Sequence, residues 1–277
     1  ACSNGGGGWA VRGDRVEQRR NVRFHPARTK DGCSAGRNGG FVNDDRIVPV
    51  APFVPQWWTD RVEWKARTMA RAVRWVYEGI DAIRGRSPEI DALIDRHGAP
   101  AWGRPIPAGE RFATLARMIA YQQLAGAAAA AIWGRVEAVV GAPVEPRAIR
   151  VTGEAELRGA GLSRAKVAAV HDLADRVLDG RLRLGRLGSL PDTEVIERLT
   201  SVRGIGEWSA QMFLIGALRR PDVWPCADVG VRAGWARAHD VSAPSVHQMP
   251  KLGEPYRPYR SLVAWYCWQA ADTPLPG

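Results

Sequence analysis

Apolar residues recur along most of this chain with the three-to-four-residue spacing of an α-helix. In "GERFATLARMIAYQQL", Phe112, Leu115 and Met118 fall on one face of a predicted helix. The same spacing continues in "SRAKVAAVHDLADRVLDG", "PDTEVIERLT", "EWSAQMFLIGALRR", "DVGVRAGWARAH" and "YRSLVAWYCWQA". Alternating Val, Ile and Thr runs bounded by tight turns, which would indicate strands, are almost absent. The pattern predicts an all-α fold of two packed helical lobes.

Local signals add helix boundaries and core contacts to this pattern. Ser87, followed by a proline in "SPEIDALIDRHG", starts a predicted helix and Gly98 ends it, because serine caps helix starts and glycine favours helix ends. In "AGAAAAAIWGRVEAVVG", small side chains predict a face that another helix approaches closely. Its larger core contacts are expected to be Ile132, Val136 and Val139.

The first 56 residues lack the regular apolar pattern of the rest of the chain. Residues 1–56 are rich in Gly, Arg, Asn and Asp, with too little apolar periodicity to offset the entropy of ordering, so we expect disorder. The chain begins without methionine and its first is Met69, so a non-native extension is the other interpretation. Helical spacing from Trp64 onward predicts a leading helix within residues 57–84, ahead of a main domain at 85–277.

The net charge of +10 suggests a nucleic-acid partner, although its distribution weakens that inference. Residues 1–84 carry 15 Lys and Arg against 9 Asp and Glu, a net +6, and the rest of the chain carries +4. A basic disordered tail would give the same total, so charge by itself does not identify the partner.

Cysteine usage and hydropathy argue against several classes of protein. The 4 cysteines include no Cys-x-x-Cys pair, so neither a zinc knuckle nor an iron–sulfur loop is expected, and we predict no metal and no other cofactor. No apolar run approaches the roughly 20 residues of a transmembrane helix, and the start lacks the pattern of a signal peptide. We therefore expect a cytoplasmic globular protein with no membrane partner.

The segment "LTSVRGIGEWSAQMFL" contains the most specific motif of the chain. Gly204 and Gly206 flank Ile205, and apolar anchors bracket this turn in a helix-hairpin-helix pattern. Glycine permits the turn's backbone angles and leaves the amides of the next helix open to a phosphate, which the helix dipole also favours. An ordinary helical connection is the alternative, because such turns often contain glycine. The matching positions are Leu199, Val202, Gly204, Ile205, Gly206, Ala210, Phe213 and Leu214.

With four further motifs in order, the chain resembles the helix-hairpin-helix (HhH-GPD) superfamily of base-excision DNA glycosylases. Within that superfamily it is most similar to the AlkA-type 3-methyladenine DNA glycosylases, over roughly residues 85–277. Residues 1–84 contain no counterpart of the β-rich lobe that larger AlkA-type proteins share. The other motifs are "MIAYQQLAGAAAA", "LRGAGLSRAKVAAVHDLA", "PDVWPCADVGVRAG" and "YRPYRSLVAWYCW".

The resemblance implies roles for single residues. Asp228 falls on the superfamily's catalytic aspartate, whereas without that context it would be interpreted as a helix N-cap. Trp208 stands where glycosylases with lyase activity have a lysine, so no amine is available there to form a Schiff base. Trp208 and Trp268 match aromatic positions of the base pocket, although Trp208 could instead be a core aromatic. Gln123 matches the wedge that fills the gap of a flipped base, and its alternative is a solvent-facing helix end.

Two pairs of basic residues are not assigned by the resemblance. Arg257 and Arg260 could contact phosphate or could tie the last helix to its neighbours. Arg164 and Lys166 lie beside a second glycine-bounded turn, and we interpret them as solvated surface.

The resulting hypothesis is a monofunctional glycosylase that hydrolyses alkylated purines from double-stranded DNA, as an N-glycosyl hydrolase. The resemblance also implies a monomer that associates with the bacterial nucleoid. A non-catalytic DNA-binding protein that keeps the hairpin is one alternative, and a glycosylase for another damaged base is a second. A glycosylase/lyase acting on oxidised bases is a further alternative. The missing lysine at position 208 and the missing cysteines of an iron–sulfur cluster argue against it.

Overall fold

The computed structural model describes residues 74–124 and 126–272, and every regular element in these ranges is a helix. The all-α prediction is therefore confirmed for this part of the chain. The predicted disorder of residues 1–56 and the start of the leading helix, residues 57–73, lie outside the described residues. The α-helices are α1 (Arg74–Ile83), α2 (Pro88–His97), α3 (Arg111–Tyr121), α4 (Gly126–Val140), α5 (Pro146–Val151), α6 (Glu154–Gly159), α7 (Arg164–Leu178), α8 (Asp192–Thr200), α9 (Glu207–Gly216), α10 (Val229–His239), α11 (Met249–Gly253) and α12 (Arg260–Asp272). Short 3₁₀ turns occur at Ala108–Glu110, Leu184–Ser189 and Glu254–Tyr256.

The predicted boundaries of α2 are confirmed. The Ser87 hydroxyl accepts a hydrogen bond from the backbone N–H of Ile90 at 3.3 Å, which satisfies one of the free amides of the first turn. Gly98 ends the helix with φ +63°, and its N–H donates to the carbonyl of Ile94 at 2.8 Å.

One lobe combines the first and last helices of the described chain. Helix α12 packs against α1, α2 and α10, so chain segments far apart in sequence share one core. The α10–α12 crossing is very close, because a Cβ at Gly234 would overlap the backbone carbonyl oxygen of Cys267. Only glycine fits at this position.

The second lobe is built around α7, which packs against α3, α5 and α6, while α4 packs against α3. The buried residues of α4 are Ala129, Trp133 and Val136. The prediction that Val139 is a core contact is wrong, since this side chain is 45% exposed. Ala129, Trp133 and Val136 stand at positions i, i+4 and i+7 of one helix face. Val139 lies outside that face and is directed toward solvent.

Helices α8 and α9 pack against each other and form the two arms of the predicted hairpin. Helix α9 is buried on most sides, which agrees with its nearly continuous apolar sequence "SAQMFLIG". The buried part of α9, from Ser209 onward, therefore fixes the position of its more exposed start at Glu207. Within the part of the chain that the structure describes, no helix has the length and apolar character needed to cross a membrane.

Candidate active site

Asp228 lies at the start of α10, where it is the N-cap residue. Its Oδ1 accepts a hydrogen bond from the backbone N–H of Val231 at 2.8 Å, and the residue is only 5% exposed. The cap that the sequence allows is therefore present. Capping also fixes the carboxylate at the positive end of a helix, which stabilises its negative charge.

Two tryptophans hold the same carboxylate by their ring edges. The indole Nε1 of Trp208 donates to Asp228 Oδ2 at 2.5 Å, and Nε1 of Trp268 donates to Oδ1 at 3.0 Å. Gly230 makes room for this contact, because a Cβ there would lie 2.9 Å from Cδ1 of Trp268. A buried carboxylate is costly unless it is hydrogen-bonded, so these donors offset its desolvation and fix its orientation.

A cavity of about 450 Å³ lies against Trp208, and its volume suits a small planar ligand such as a nucleobase. The lining residues are Gln122, Gln123, Trp208 and Ser209. Trp208 thus reaches from the cavity to Asp228. Trp268 is only 3% exposed and lies with its N–H edge toward Asp228, so its predicted contact with a base stays a prediction.

Gln123 lies at the tip of the turn between α3 and α4. Its side chain is exposed and its backbone has φ +58°, in the left-handed region that non-glycine residues seldom occupy. The residue therefore projects from a tight turn at the mouth of the cavity. This placement suits a wedge, and the role itself stays a prediction.

The hairpin turn exposes its two glycines and buries the residue between them. Gly204 has φ +77°, which favours glycine, and Ile205 is 5% exposed, with its N–H donating to the carbonyl of Val202 at 3.1 Å. Gly206 is the N-cap of α9, and no side chain caps this helix start. The first-turn amides of α9 are therefore available to an external anion.

Arg257 and Arg260 both pair with Asp222. The Arg260 guanidinium lies 2.6 and 3.0 Å from the two carboxylate oxygens of Asp222, and Arg257 Nη1 lies 2.9 Å from Oδ2. Of the two roles that the sequence left open, these contacts favour the structural one. They fasten the start of α12 to the segment that precedes Asp228.

Arg164 and Lys166 differ in their surroundings. Arg164 is exposed and lies 3.4 Å from Glu154, as expected of a surface residue. The surface interpretation of Lys166 is wrong, because its Nζ donates to the carbonyl oxygens of Ala120 at 2.8 Å and Gln122 at 2.7 Å. Sequence reasoning missed this residue because its partners are backbone atoms, which carry no signature of their own.

The described residues contain no group of His, Cys, Asp and Glu side chains that could hold a metal ion.

Comparison with known proteins finds one matching family and several similar chains. The family model described as HhH-GPD superfamily base excision DNA repair protein matches residues 116–258. The chain is 32% identical over 166 residues to DNA-3-methyladenine glycosylase 1 of Schizosaccharomyces pombe, an alignment that covers 58% of this chain and 73% of the relative.

Two solved structures resemble the fold over most of their length. One is the 3-methyladenine DNA glycosylase (Mag1) of Schizosaccharomyces pombe in complex with abasic DNA, with a TM-score of 0.63 and 30% identity, covering 69% of this chain and 95% of that one. The other is the DNA-3-methyladenine glycosidase of Bacillus halodurans, with a TM-score of 0.63 and 31% identity, covering 70% of this chain and 89% of that one.

Proposed function

The chain belongs to the HhH-GPD superfamily of base excision DNA repair proteins, and from this premise we propose that it is a monofunctional DNA glycosylase. Its proposed substrate is an alkylated purine, of the 3-methyladenine type, in double-stranded DNA. We further propose that it acts as a monomer on the bacterial nucleoid. The relatives named DNA-3-methyladenine glycosylase support the substrate class.

The observation that carries this proposal is the buried carboxylate of Asp228, which Trp208 connects to the cavity. Three N–H donors, from Val231, Trp208 and Trp268, hold its two oxygens. A preoriented negative charge in a site shielded from water stabilises positive charge that develops in a transition state. Cleavage of an N-glycosidic bond develops such a charge on the sugar.

The proposed reaction breaks the bond between C1′ of the sugar and the purine nitrogen. The bonding electrons leave with the base, so a cationic alkylpurine departs as a neutral molecule and C1′ becomes electron-poor. Asp228 stabilises this centre and can orient the attacking water, which adds to C1′ and loses a proton. The products are a free base and an intact abasic site.

The side chain at position 208 favours hydrolysis over lyase chemistry. An imine with C1′ requires a nucleophilic amine, and Trp208 has none. Its indole nitrogen is a donor only and is engaged with the carboxylate of Asp228. The sugar intermediate is therefore resolved by water.

Access to the base requires that the nucleotide leave the duplex stack. Backbone amides at Gly206 are proposed to bind phosphate beside the lesion, independently of sequence. Gln123, at the exposed tip of its turn, is proposed to fill the gap left by the flipped nucleotide. The flipped base would then enter the cavity against Trp208.

Base selection is proposed to combine recognition and reactivity. The face of an indole attracts a cationic alkylpurine over a neutral base by about 0.5–2 kcal/mol. Alkylation also makes the purine a better leaving group, so the chemical step adds discrimination that a loosely shaped pocket could not provide. Cationic alkylpurines should be released fastest, hypoxanthine slowly and oxidised guanine barely.

The test is release of free bases from duplex DNA treated with a methylating agent, with the products identified by chromatography. The proposal expects 3-methyladenine and 7-methylguanine in the soluble fraction. DNA binding without any released base would instead favour the non-catalytic alternative. Preferential release of oxidised guanine would place the chain in another branch of the superfamily.

A further inference from the structure

The turn that carries Gln123 is weakly held by its own backbone. The N–H of Gln122 lies 3.4 Å from the carbonyl of Ile119, and the N–H of Leu124 lies 3.3 Å from that of Tyr121. Both distances are longer than the usual 2.9–3.0 Å of an N–H···O bond. The left-handed backbone at Gln123 adds strain. Groups outside the turn must therefore stabilise its shape.

Lys166 supplies the strongest of these external contacts. Its ammonium bridges the carbonyls of Ala120 and Gln122, at 2.8 and 2.7 Å, at the point where α3 ends. Hydrogen bonds from a charged donor are the strong ones, and a cation is favoured at a helix C-terminus. Lys166 is half-buried, and this partial burial lowers the pKa of its ammonium.

The side chain of Gln122 then connects the turn to the hairpin. Its Nε2 donates to the carbonyl of Gly204 at 2.9 Å and to the hydroxyl of Ser209 at 3.3 Å. Gly204 belongs to the hairpin turn and Ser209 to the first turn of α9. Gln122 thus joins the turn at residues 122–124, here called the wedge turn, to both parts of the proposed phosphate site.

Helix α7 supports the wedge turn and the hairpin from a single face. Lys166 holds the wedge turn. Ala169 packs against the hairpin, since a Cβ at Gly204 would lie 3.1 Å from the Cβ of Ala169. Asp172 accepts a hydrogen bond from the backbone N–H of Arg203 at 2.8 Å. Residues spaced by three lie on one side of a helix. The same rigid element therefore positions both the wedge and the phosphate grip.

We propose that Lys166 is a positioning residue for base flipping, which holds the Gln123 turn at a fixed distance from the phosphate-binding hairpin with Gln122 as the connecting link. This inference rests on the proposed function, which assigns the wedge to Gln123. Without the ammonium, the turn retains its long backbone bonds and the Gln122 side-chain link, and its backbone samples other shapes. DNA still binds to the hairpin, but insertion of the wedge then requires ordering of the turn.

The experiment separates DNA binding from insertion of the wedge. The probe is a duplex with a tetrahydrofuran abasic analogue next to 2-aminopurine, whose fluorescence reports local unstacking, while anisotropy of a distal dye reports binding. The variant Lys166→Met removes the ammonium, Lys166→Arg restores a cationic donor, and Gln123→Ala defines the signal without a wedge. Arg164→Met is the matched control, because it removes an exposed cation from the same helix turn.

We expect Lys166→Met to lower the equilibrium between inserted and uninserted wedge about tenfold, as expected for losing charge-assisted hydrogen bonds at a partly buried site. Its 2-aminopurine signal at saturating protein should fall toward that of Gln123→Ala, while the affinity stays within about threefold of that of Arg164→Met. Lys166→Arg should recover most of the signal, since guanidinium also donates to two carbonyls.

A second variant covers the case in which Lys166→Met does not fold, which thermal unfolding reveals. Gln122→Met keeps the length of the side chain, removes the link to the hairpin and should lose the same signal. A wild-type signal from every folded variant of these two positions would overturn the inference. So would a loss in Arg164→Met equal to that in Lys166→Met, which would indicate a general charge effect.

These readouts do not require base release. A wild-type protein that unstacks the probe but releases no base from methylated DNA would refute the proposed function and leave the positioning role of Lys166 standing. Normal base release with wild-type probe signals from both variants would refute the positioning role alone.

Discussion

Trp208 and Trp268 each donate an indole N–H to Asp228. Removing these donors tests whether the tryptophans hold the carboxylate or only face the base. Replacement by Phe keeps an aromatic ring and removes the donor. Trp268 is the sharper position, since it is 3% exposed and its Nε1 lies 3.0 Å from Asp228 Oδ1. Water therefore cannot easily replace its hydrogen bond.

The magnitude follows from the type of bond that is lost. A hydrogen bond to a buried charged group contributes roughly 1.5–3 kcal/mol, and each 1.4 kcal/mol is tenfold in rate. If the lost bond stabilises the reactive carboxylate, Trp268→Phe should slow base release about 10- to 150-fold. Trp208 is half-buried, so water can partly replace its lost N–H donor. The slowing of base release by Trp208→Phe should therefore lie near the lower limit of this range, about tenfold.

The assay is single-turnover release of 3-methyladenine and of hypoxanthine from defined duplexes, with thermal unfolding as the check on folding. Both substrates should slow by the same factor in the Phe variants, because the loss acts on the carboxylate. Trp208→Leu also removes the π face and should cost the cationic substrate an additional 2- to 30-fold, or about 0.5–2 kcal/mol. Trp265→Phe, on the same helix as Trp268, is the control and should leave the rates unchanged. Rates within about twofold of wild type for Trp268→Phe would refute the holding role.

Gly206→Asp should weaken binding about tenfold on all DNA sequences, because the new carboxylate can cap α9 in place of a phosphate. The melting temperature should not fall, since a Cβ at Gly206 meets no atom within 4 Å. A sequence-selective loss in anisotropy titrations would contradict this prediction. Borohydride added during turnover should trap no covalent protein–DNA species, since Trp208 cannot form an imine, and an adduct comparable to that of a lyase control would overturn the hydrolytic mechanism. Gly234→Ala should lower the free energy of unfolding by at least about 3 kcal/mol, because its methyl group overlaps the backbone at Cys267, whereas Gly134→Ala, with open space, should raise it by about 0.5–1 kcal/mol. Chemical denaturation measures both, and equal effects would be inconsistent with the close helix crossing.

The sequence predicts the helices well because their signal is local. The apolar spacing and the Ser87 and Gly98 boundary signals both agree with the structure. Periodicity fails at Val139, where several apolar residues compete for one face and only the packed neighbours decide which is buried.

The candidate site is predicted only in part, for a physical reason. Asp228 could be singled out because the chain resembles a family with an aspartate at this position, whereas the local pattern alone indicates only a helix cap. Its contact with Trp268 depends on the close approach of two helices at Gly230 and Gly234, and no local pattern reports such an approach. Lys166 was misassigned because carbonyl partners exist in every sequence.

The most direct test of the central claim is single-turnover release of 3-methyladenine by Asp228→Asn. The amide keeps the size of the side chain but removes the charge, and its NH₂ group would face an indole N–H donor in place of an acceptor oxygen. Loss of transition-state stabilisation of about 3–4 kcal/mol predicts a rate at least about a hundredfold slower, with affinity for abasic-analogue DNA within about tenfold of wild type. A rate within threefold of wild type in a folded variant would contradict catalysis by Asp228.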